Sequence, residues 1–304
     1  MNNVDIEKAI RLLMQYAPSV PKYTFSQWLE KWLTTYKEPK LKAGTVRDYR
    51  SYIDTYIAPK LGDVALSDID GLTLQEFVNS IQAPNIRKKV SFVIKSSLQK
   101  AVNLRYILFN PFDSVELPRA QVNHYKPLSF DMQEKILSAC SDKYRPAFVF
   151  LCCIGLRIGE FLALDFDKDV DVRRKVVKIT KTRDKDTGDI IPTPKTKNSI
   201  RNVPFTLWLL PYVEELKKYE YTYAGIRNYF SKLYRKLRIS GCNLHSLRHT
   251  FVSVCNCVGM KAKTAQALVG HSDVNLTLNI YAHYLQKGRS FLSDYLRELK
   301  RLLE

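Results

Sequence analysis

Two residues three apart, His245 and Arg248, set an imidazole beside a guanidinium in the stretch Leu244-His245-Ser246-Leu247-Arg248-His249-Thr250. On a helix that spacing puts both on one face. The helix is expected to start after Asn243, where free backbone N–H groups favour an anion. A second imidazole, His271, follows Gly270 in Gly270-His271-Ser272-Asp273. A phenol, Tyr281, comes ten residues later in Tyr281-Ala282-His283-Tyr284. Cation-capable imidazoles, a guanidinium and a phenol make a poor core and a good phosphate site.

Each of these words alone says little. A lone His-x-x-Arg is ordinarily a solvated helix face, Gly-His-Ser-Asp is an ordinary turn, and Tyr281 is one of 18 tyrosines. A further word shifts the weight: Gly155-Leu156-Arg157-Ile158-Gly159-Glu160 follows directly on an apolar run. Arg157, His245-x-x-Arg248, His271 and Tyr281, in that order and in these local words, resemble the tyrosine recombinase (phage integrase) family. The resemblance runs from about Lys22 to Tyr284.

The resemblance implies a chemistry. Tyr281 would attack a DNA phosphodiester, giving a 3′-phosphotyrosine and a free 5′-hydroxyl. The new ester is close in energy to the old one, so rejoining to another strand needs no ATP. Arg157 and Arg248 take the family's clamp positions, where planar forks suit the oxygens of a pentacoordinate phosphate. His245 and His271 flank them, supplying hydrogen bonds and help in removing the Tyr281 proton. Glu160 takes the position that buttresses the site. The family's general acid is a lysine on a β-hairpin, and Lys195, before Ser199-x-Arg201-x-Val203-Pro204, fits that word best. Lys197 lies on the same face of an extended strand and is the alternative. Tyr284 is the rival nucleophile, although Tyr281 with His283 better fits the family's Tyr-x-His ending.

No cofactor and no metal are expected, since no Asp/Glu cluster resembles a two-metal nuclease site. The favoured function is a site-specific recombinase that integrates and excises DNA. A type IB topoisomerase, relaxing arbitrary DNA as a monomer, shares the chemistry and ranks behind it. A non-catalytic DNA-binding regulator ranks last, because every catalytic residue type is present.

Composition agrees with a polyanionic partner. The 304 residues carry a formal charge of +18, with 45% hydrophobic and 26% charged residues, and the isoelectric point is near 9.5. Double-stranded DNA held through its phosphates is the expected partner. The longest apolar run, Pro146 to Leu156, is too short to span a bilayer, and the N-terminus has no signal-peptide pattern. No membrane role is expected, and the protein is placed in the cytoplasm of a bacterium, or of a phage's host, on the nucleoid. The six cysteines (Cys140, Cys152, Cys153, Cys242, Cys255, Cys257) lack paired CxxC spacing and read as small buried thiols.

The expected fold is mainly α with a small antiparallel β-sheet, in the two-domain arrangement of tyrosine recombinases. Residues 1–22 form an N-terminal extension, too short for the extra arm-site domain of many integrases. Residues 23–118 read as a helical, SAM-like core DNA-binding domain, 119–125 as a linker and 126–287 as an α/β catalytic domain. Within the first, Thr24-x-x-Gln27 marks a capping box before a stripe of Phe25, Trp28, Leu29, Trp32 and Leu33. Packing in the core is the reading for both tryptophans, rather than stacking on bases. Thr45-x-x-Asp48 and Thr73-x-x-Glu76 are expected to open two more helices, the former stopping at Pro59, and a fourth runs from about Asn85 to Arg105. Arg47, Arg50, Arg87, Lys88, Lys89 and Lys95 on these helices are the expected phosphate contacts, since the resemblance makes this bundle half of a clamp around DNA.

In the second domain Ser129 caps a helix, Pro146 sits in the first turn of a buried one, and the period switches towards two at Lys175–Ile179. A turn at Asp186-Thr187-Gly188-Asp189 leads to a return strand at Ile190-Ile191, with a third strand at Ile200–Val203. Helices resume around Leu207–Tyr219 and Ile226–Leu237. Residues 288–304 form an amphipathic helix with Leu292, Tyr295, Leu296, Leu299, Leu302 and Leu303 on one side and Ser290 as its cap. The family's habit favours docking of this helix on a neighbouring protomer, giving a tetramer in the synapse. An accessory DNA-bending or directionality factor is a further expected partner.

Overall fold

The computed structural model describes residues 22–118, 126–192, 199–270 and 289–303. The chain folds as two units, residues 1–122 and 123–304. The extension at 1–21, Lys195, Lys197, His271, Tyr281 and Tyr284 all lie outside the described residues.

The first unit is helical. Helix α1 (Phe25–Trp32) opens on the expected capping box: the Thr24 backbone N–H donates to Gln27 Oε1 at 3.0 Å, and the Gln27 N–H donates to Thr24 Oγ1 at 3.3 Å. Its stripe of Phe25, Trp28, Leu29 and Trp32 is buried, and Trp28 Nε1 donates to the Ser97 carbonyl at 3.1 Å. Both tryptophans are core, each about 1% exposed, and the Trp28 indole N–H finds its acceptor inside.

Helix α2 (Ala43–Tyr52) begins two residues before the expected Thr45. It does not stop at Pro59. A π-helical turn (Ile53–Ile57) shifts the register, and α3 (Ala58–Leu61) follows with the proline in its first turn, where a missing N–H costs nothing. Helix α4 (Gly71–Ser80) is capped by Asp70, whose carboxylate accepts from the Thr73 N–H at 2.8 Å. Thr73 is therefore inside the helix rather than at its cap. Helix α5 (Pro84–Asn103) buries Val90, Val93, Ile94, Leu98 and Ala101 and turns Lys88, Lys89, Phe92, Lys95 and Gln99 outward.

The second unit is built around α7 (Arg145–Ile154), whose residues from Pro146 to Ile154 are all buried. Helix α6 (Phe130–Ala139) precedes it, capped by Ser129 as expected. Helix α8 (Ile158–Ala163) follows after Gly155. Strands β1 (Val170–Asp171), β2 (Val176–Ile179) and β5 (Arg201–Pro204) make an antiparallel sheet in the order β1-β2-β5, with Val177 opposite Val203 and Ile179 opposite Arg201. Strand β4 (Ile190–Ile191) does return, but onto β3 (Thr182–Arg183), as a separate ribbon. The sheet's own partner for β2 is β5. Strand β1 has only two residues, too few for a period to register.

Helices α9 (Leu210–Lys217), α10 (Tyr223–Lys236), α11 (Leu244–Cys257) and α12 (Ala262–Val269) complete this unit with α13 (Phe291–Leu303). Thr222 caps α10, whose first residue, Tyr223, lies three residues before the Ile226 start that hydrophobic spacing gave. The last helix packs on α7 and α11 of its own chain, with Leu292, Tyr295, Leu296 and Leu299 in the shared core. The tail is thus core of the second unit here, where the sequence favoured docking on a neighbour. Ser290 and Ser293 exchange hydrogen bonds at its start, and Ser290 Oγ also donates to Gln133 Oε1 at 2.8 Å. Of the cysteines, Cys140, Cys152, Cys153 and Cys255 are buried, but Cys242 is half-buried and Cys257 exposed. Among the described residues no helix is long and apolar enough to cross a membrane.

Candidate active site

Arg157 and Arg248 reach the same place from different elements. Gly155 ends α7 with φ +66°, and a Cβ there would sit 2.8 Å from Phe251 Cδ1 and 3.1 Å from Val269 Cγ1. Glycine is required on both counts. Its carbonyl accepts from Arg248 Nη1 at 2.9 Å. Gly270 ends α12 with φ +69°, and its carbonyl accepts from Arg157 Nη2 at 3.3 Å. Two helix-ending glycines thus aim their carbonyls at the two guanidiniums.

Glu160 binds the cluster together. Its Oε2 accepts from the Arg157 backbone N–H at 2.9 Å and its Oε1 from Arg157 Nη1 at 2.7 Å. Burial works to raise this carboxyl. The hydrogen bonds and charge of Arg201, then the charge of Arg157, outweigh burial and hold it below the usual carboxylate range. Arg248 is fully buried, so a residue type that reads as foreign to a core is in one. Burial first, and then the Arg157 charge, disfavour its cation. A guanidinium stays protonated in such a place, and an incoming phosphate would offset the cost.

His245 stands in the first turn of α11. The N–H groups of His245 and Ser246, which the sequence left open for an anion, are already taken: both donate to Asn243 Oδ1, at 2.8 and 3.1 Å. The anion site is therefore made of side chains rather than of the helix end. His245 keeps an exposed side, and its ring meets the His249 ring edge-on at 4.6 Å between centroids. Burial of the ring's inner side, then His249, Arg248 and Arg157, push its pKa down to about 4. It is a neutral imidazole at pH 7, so it can accept a proton or a hydrogen bond. A cavity of about 660 Å³ opens at His245, and Arg227 and Arg235 of α10 line it. Neither arginine was singled out from the sequence, although both lie in a stretch, Thr222 to Gly241, without one acidic residue.

Arg201 is a third residue that sequence reasoning passed over. It appeared only as a letter in the word after the lysines, yet its side chain is 6% exposed and bonded to Glu160. The DNA-contact candidates of the first unit are placed unevenly. Lys88 and Lys89 are exposed, the latter 5.7 Å over the Tyr52 ring. Arg50 is held by Glu30 at 2.8 Å and by Glu38 at 3.0 Å, and Lys95 by Asp113 at 2.9 Å. Arg87 donates to the Ile81 carbonyl at 2.6 and 2.9 Å, tying α5 to the end of α4. Arg47 is half-buried. A trough of about 560 Å³ in the same unit is lined by Trp32, Tyr36, Phe92 and four lysines, Lys37, Lys40, Lys95 and Lys100.

Residues 126–287, which carry this whole cluster, match the phage integrase family. The chain belongs to that family. Residues 24–82 of this integrase match the N-terminal SAM-like domain of phage integrases. It is 24% identical over 325 residues to a XerC-like tyrosine recombinase of Caldanaerobacter subterraneus, covering 91% of this chain and 83% of that one. It is 27% identical over 312 residues to the transposase of transposon Tn916 of Enterococcus faecalis, covering 88% and 74%. In fold it is similar to the Tn1549 transposon integrase solved with circular intermediate DNA (TM-score 0.73, 22% identity, 92% and 99% covered). It is also similar to the lambda integrase tetramer solved on a Holliday junction (TM-score 0.64, 17% identity, 90% and 88% covered). This integrase is a site-specific tyrosine recombinase.

Proposed function

We propose that Tyr281 is the nucleophile with which this recombinase cuts and rejoins double-stranded DNA. The observation that carries the reading is that Arg157, bonded to buried Glu160, and Arg248, held by the Gly155 carbonyl, lie within each other's electrostatic reach, with a neutral His245 beside them. The Tyr281 oxygen attacks the scissile phosphorus and the bond to O5′ breaks. The products are a 3′-phosphotyrosine and a 5′-hydroxyl. Arg157 and Arg248 hold the non-bridging oxygens as their charge grows. Neutral His245, together with His271, assists in removing the phenol proton. Lys195 gives a proton to O5′, and Lys197 is its alternative. Rejoining reverses each step with the 5′-hydroxyl of another strand. The solved relatives hold DNA, one of them as a tetramer on a junction, which supports a synapse of four copies of this chain on two duplexes.

The test is a nicked suicide substrate, from which the short fragment bearing the new 5′-hydroxyl escapes. The native protein is expected to form a covalent adduct, and Tyr281→Phe to bind the same DNA and form none. An adduct kept by Tyr281→Phe and lost in Tyr284→Phe would move the nucleophile to Tyr284. No adduct from the native protein would leave a DNA-binding regulator. On a 5′-bridging phosphorothiolate, whose sulfur leaves without a proton, Lys195→Ala is expected to recover most of its rate. Recovery by Lys197→Ala instead would transfer the role.

A further inference from the structure

We propose that Arg201 is a positioning residue for strand cleavage, acting through Glu160 on Arg157. The inference rests on the reading above, in which Arg157 holds the scissile phosphate.

Every side-chain nitrogen of Arg201 is hydrogen-bonded inside the protein. Nη2 donates to Glu160 Oε2 at 3.0 Å and Nη1 to Glu160 Oε1 at 3.2 Å. Nη1 also donates to the Ser199 carbonyl at 3.1 Å, and Nε to the Leu268 carbonyl at 2.7 Å. With 6% of its side chain exposed, Arg201 is not placed to touch DNA itself. It instead grips three segments: the turn that leads into its own strand β5, the carboxylate at the start of α8, and the last turn of α12. That last turn ends at Gly270, whose carbonyl accepts from Arg157. One planar fork therefore fixes both groups that fix Arg157: the Glu160 carboxylate directly, and the Gly270 carbonyl through the turn that bears it. Lysine, with a single nitrogen, cannot make the same set of bonds.

Charge gives a second reason. Buried Glu160, with Arg157 as its sole partner, would offset the Arg157 charge. With Arg201 sharing the carboxylate, three guanidiniums (Arg157, Arg201, Arg248) face one carboxylate, a net of two positive charges. The phosphorane formed when a phenolate meets a phosphodiester carries two negative charges. Arg201 thereby leaves Arg157 a cation towards the phosphate rather than half of a neutral pair.

The experiment compares Arg201→Gln and Arg201→Lys with Arg157→Lys and the native protein, on two scissile groups. One is the ordinary phosphodiester. The other is a methylphosphonate, which lacks the non-bridging charge that Arg157 stabilises. DNA affinity and thermal unfolding are measured alongside. On the phosphodiester, Arg201→Gln is expected to cleave about 10- to 100-fold more slowly, within the range for losing one preorganised donor. DNA affinity is expected to stay within about twofold, since no phosphate contact is lost. On the methylphosphonate most of that loss should vanish, as it should for Arg157→Lys, and Arg201→Lys should fall between. Combining Arg201→Gln with Arg157→Lys should cost no more than the larger single loss.

A native rate from Arg201→Gln would overturn the proposal, and so would an equal loss on both scissile groups, which marks a merely structural residue. If Arg201→Gln does not fold, because Glu160 is left buried and unpaired, the pair Glu160→Gln with Arg201→Met removes both charges and takes its place. That pair should show the same methylphosphonate rescue, and its absence would likewise overturn the proposal. A native protein without any covalent adduct would instead reject the underlying reading.

Discussion

Trp28 and Trp32 fill the centre of the first unit, while its candidate DNA contacts sit on or near the surface, with Arg50 held by Glu30 and Glu38 and Lys95 by Asp113. In the second unit Arg248 lies as deep as those tryptophans, and Glu160 and Arg201 are hardly more exposed. The same charged residue types therefore have different worth in the two places. Surface pairs are screened by water and contribute about 0–1 kcal/mol. Buried, hydrogen-bonded charges are costly to hold, but they act on an incoming phosphate with little reorganisation. The first unit is built to be stable and basic, and the second gives up apolar packing to keep a fixed positive site.

The largest way to break this contrast is to remove the helix that closes the second unit. Leu292, Tyr295, Leu296 and Leu299 of α13 are buried against α7 and α11. Burial of each such side chain contributes roughly 1.5–3 kcal/mol, and four together approach the 5–15 kcal/mol of a typical domain. A chain ending at Lys287 is expected to lose the cooperative unfolding transition of its second unit. The first unit, which has its own core, should keep its transition. Calorimetry on the two proteins measures this. A truncated chain that still melts natively as a monomer, and fails only to assemble on paired sites, would return the helix to a neighbouring protomer.

What the sequence disclosed follows the same division. Thr24, Ser129 and Asn243 were legible as caps because a cap is chemistry over three residues. The buried stripe of α1 was legible because helical period repeats within one element. The route past Pro59 was not, since a π-turn has no residue signature of its own, and Asp70 was passed over for Thr73 because both can cap. The two-residue strands left no period to read. At the site, Arg157, Glu160, His245 and Arg248 could be named, but not the burial of Arg248 or the occupied helix start. Arg201 was beyond reach, because its partner Glu160 is 41 residues away and no local pattern encodes that contact.

A middle-sized effect concerns protons. The His245 value, about 4, lies below the ordinary 6.5, chiefly through burial and then through His249, Arg248 and Arg157. The unfolded chain therefore takes up the proton first as acid is added. Stability tied to neutral His245 is complete above pH 6.5 and is lost as pH falls from there towards 4. The thermal midpoint of the native protein should fall more steeply over that window than that of His245→Asn. Parallel curves would mean that other groups carry the acid sensitivity. Cleavage that depends on neutral His245 should likewise persist at pH 5, where an unperturbed histidine would be mostly charged.

The smallest effects distinguish the surface cations from one another. Lys88 is exposed with no ion pair among the described residues, whereas Arg50 is shared between two carboxylates. Neither substitution to alanine should change stability by more than about 1 kcal/mol. DNA binding should separate them, because each phosphate contact adds about 0.9 to the slope of log affinity against log salt. Lys88→Ala is expected to lower that slope by about 1. Arg50→Ala should lower it by clearly less, since its charge is already partly answered by Glu30 and Glu38. The measurement is a salt titration of binding to one duplex by the native protein and both variants. An Arg50→Ala slope that falls as far as the Lys88→Ala slope would mean that Arg50 leaves its carboxylates for phosphate on binding. The acidic pair would then be a holding position rather than a brace, and the first unit would present more charge to DNA than its free surface shows.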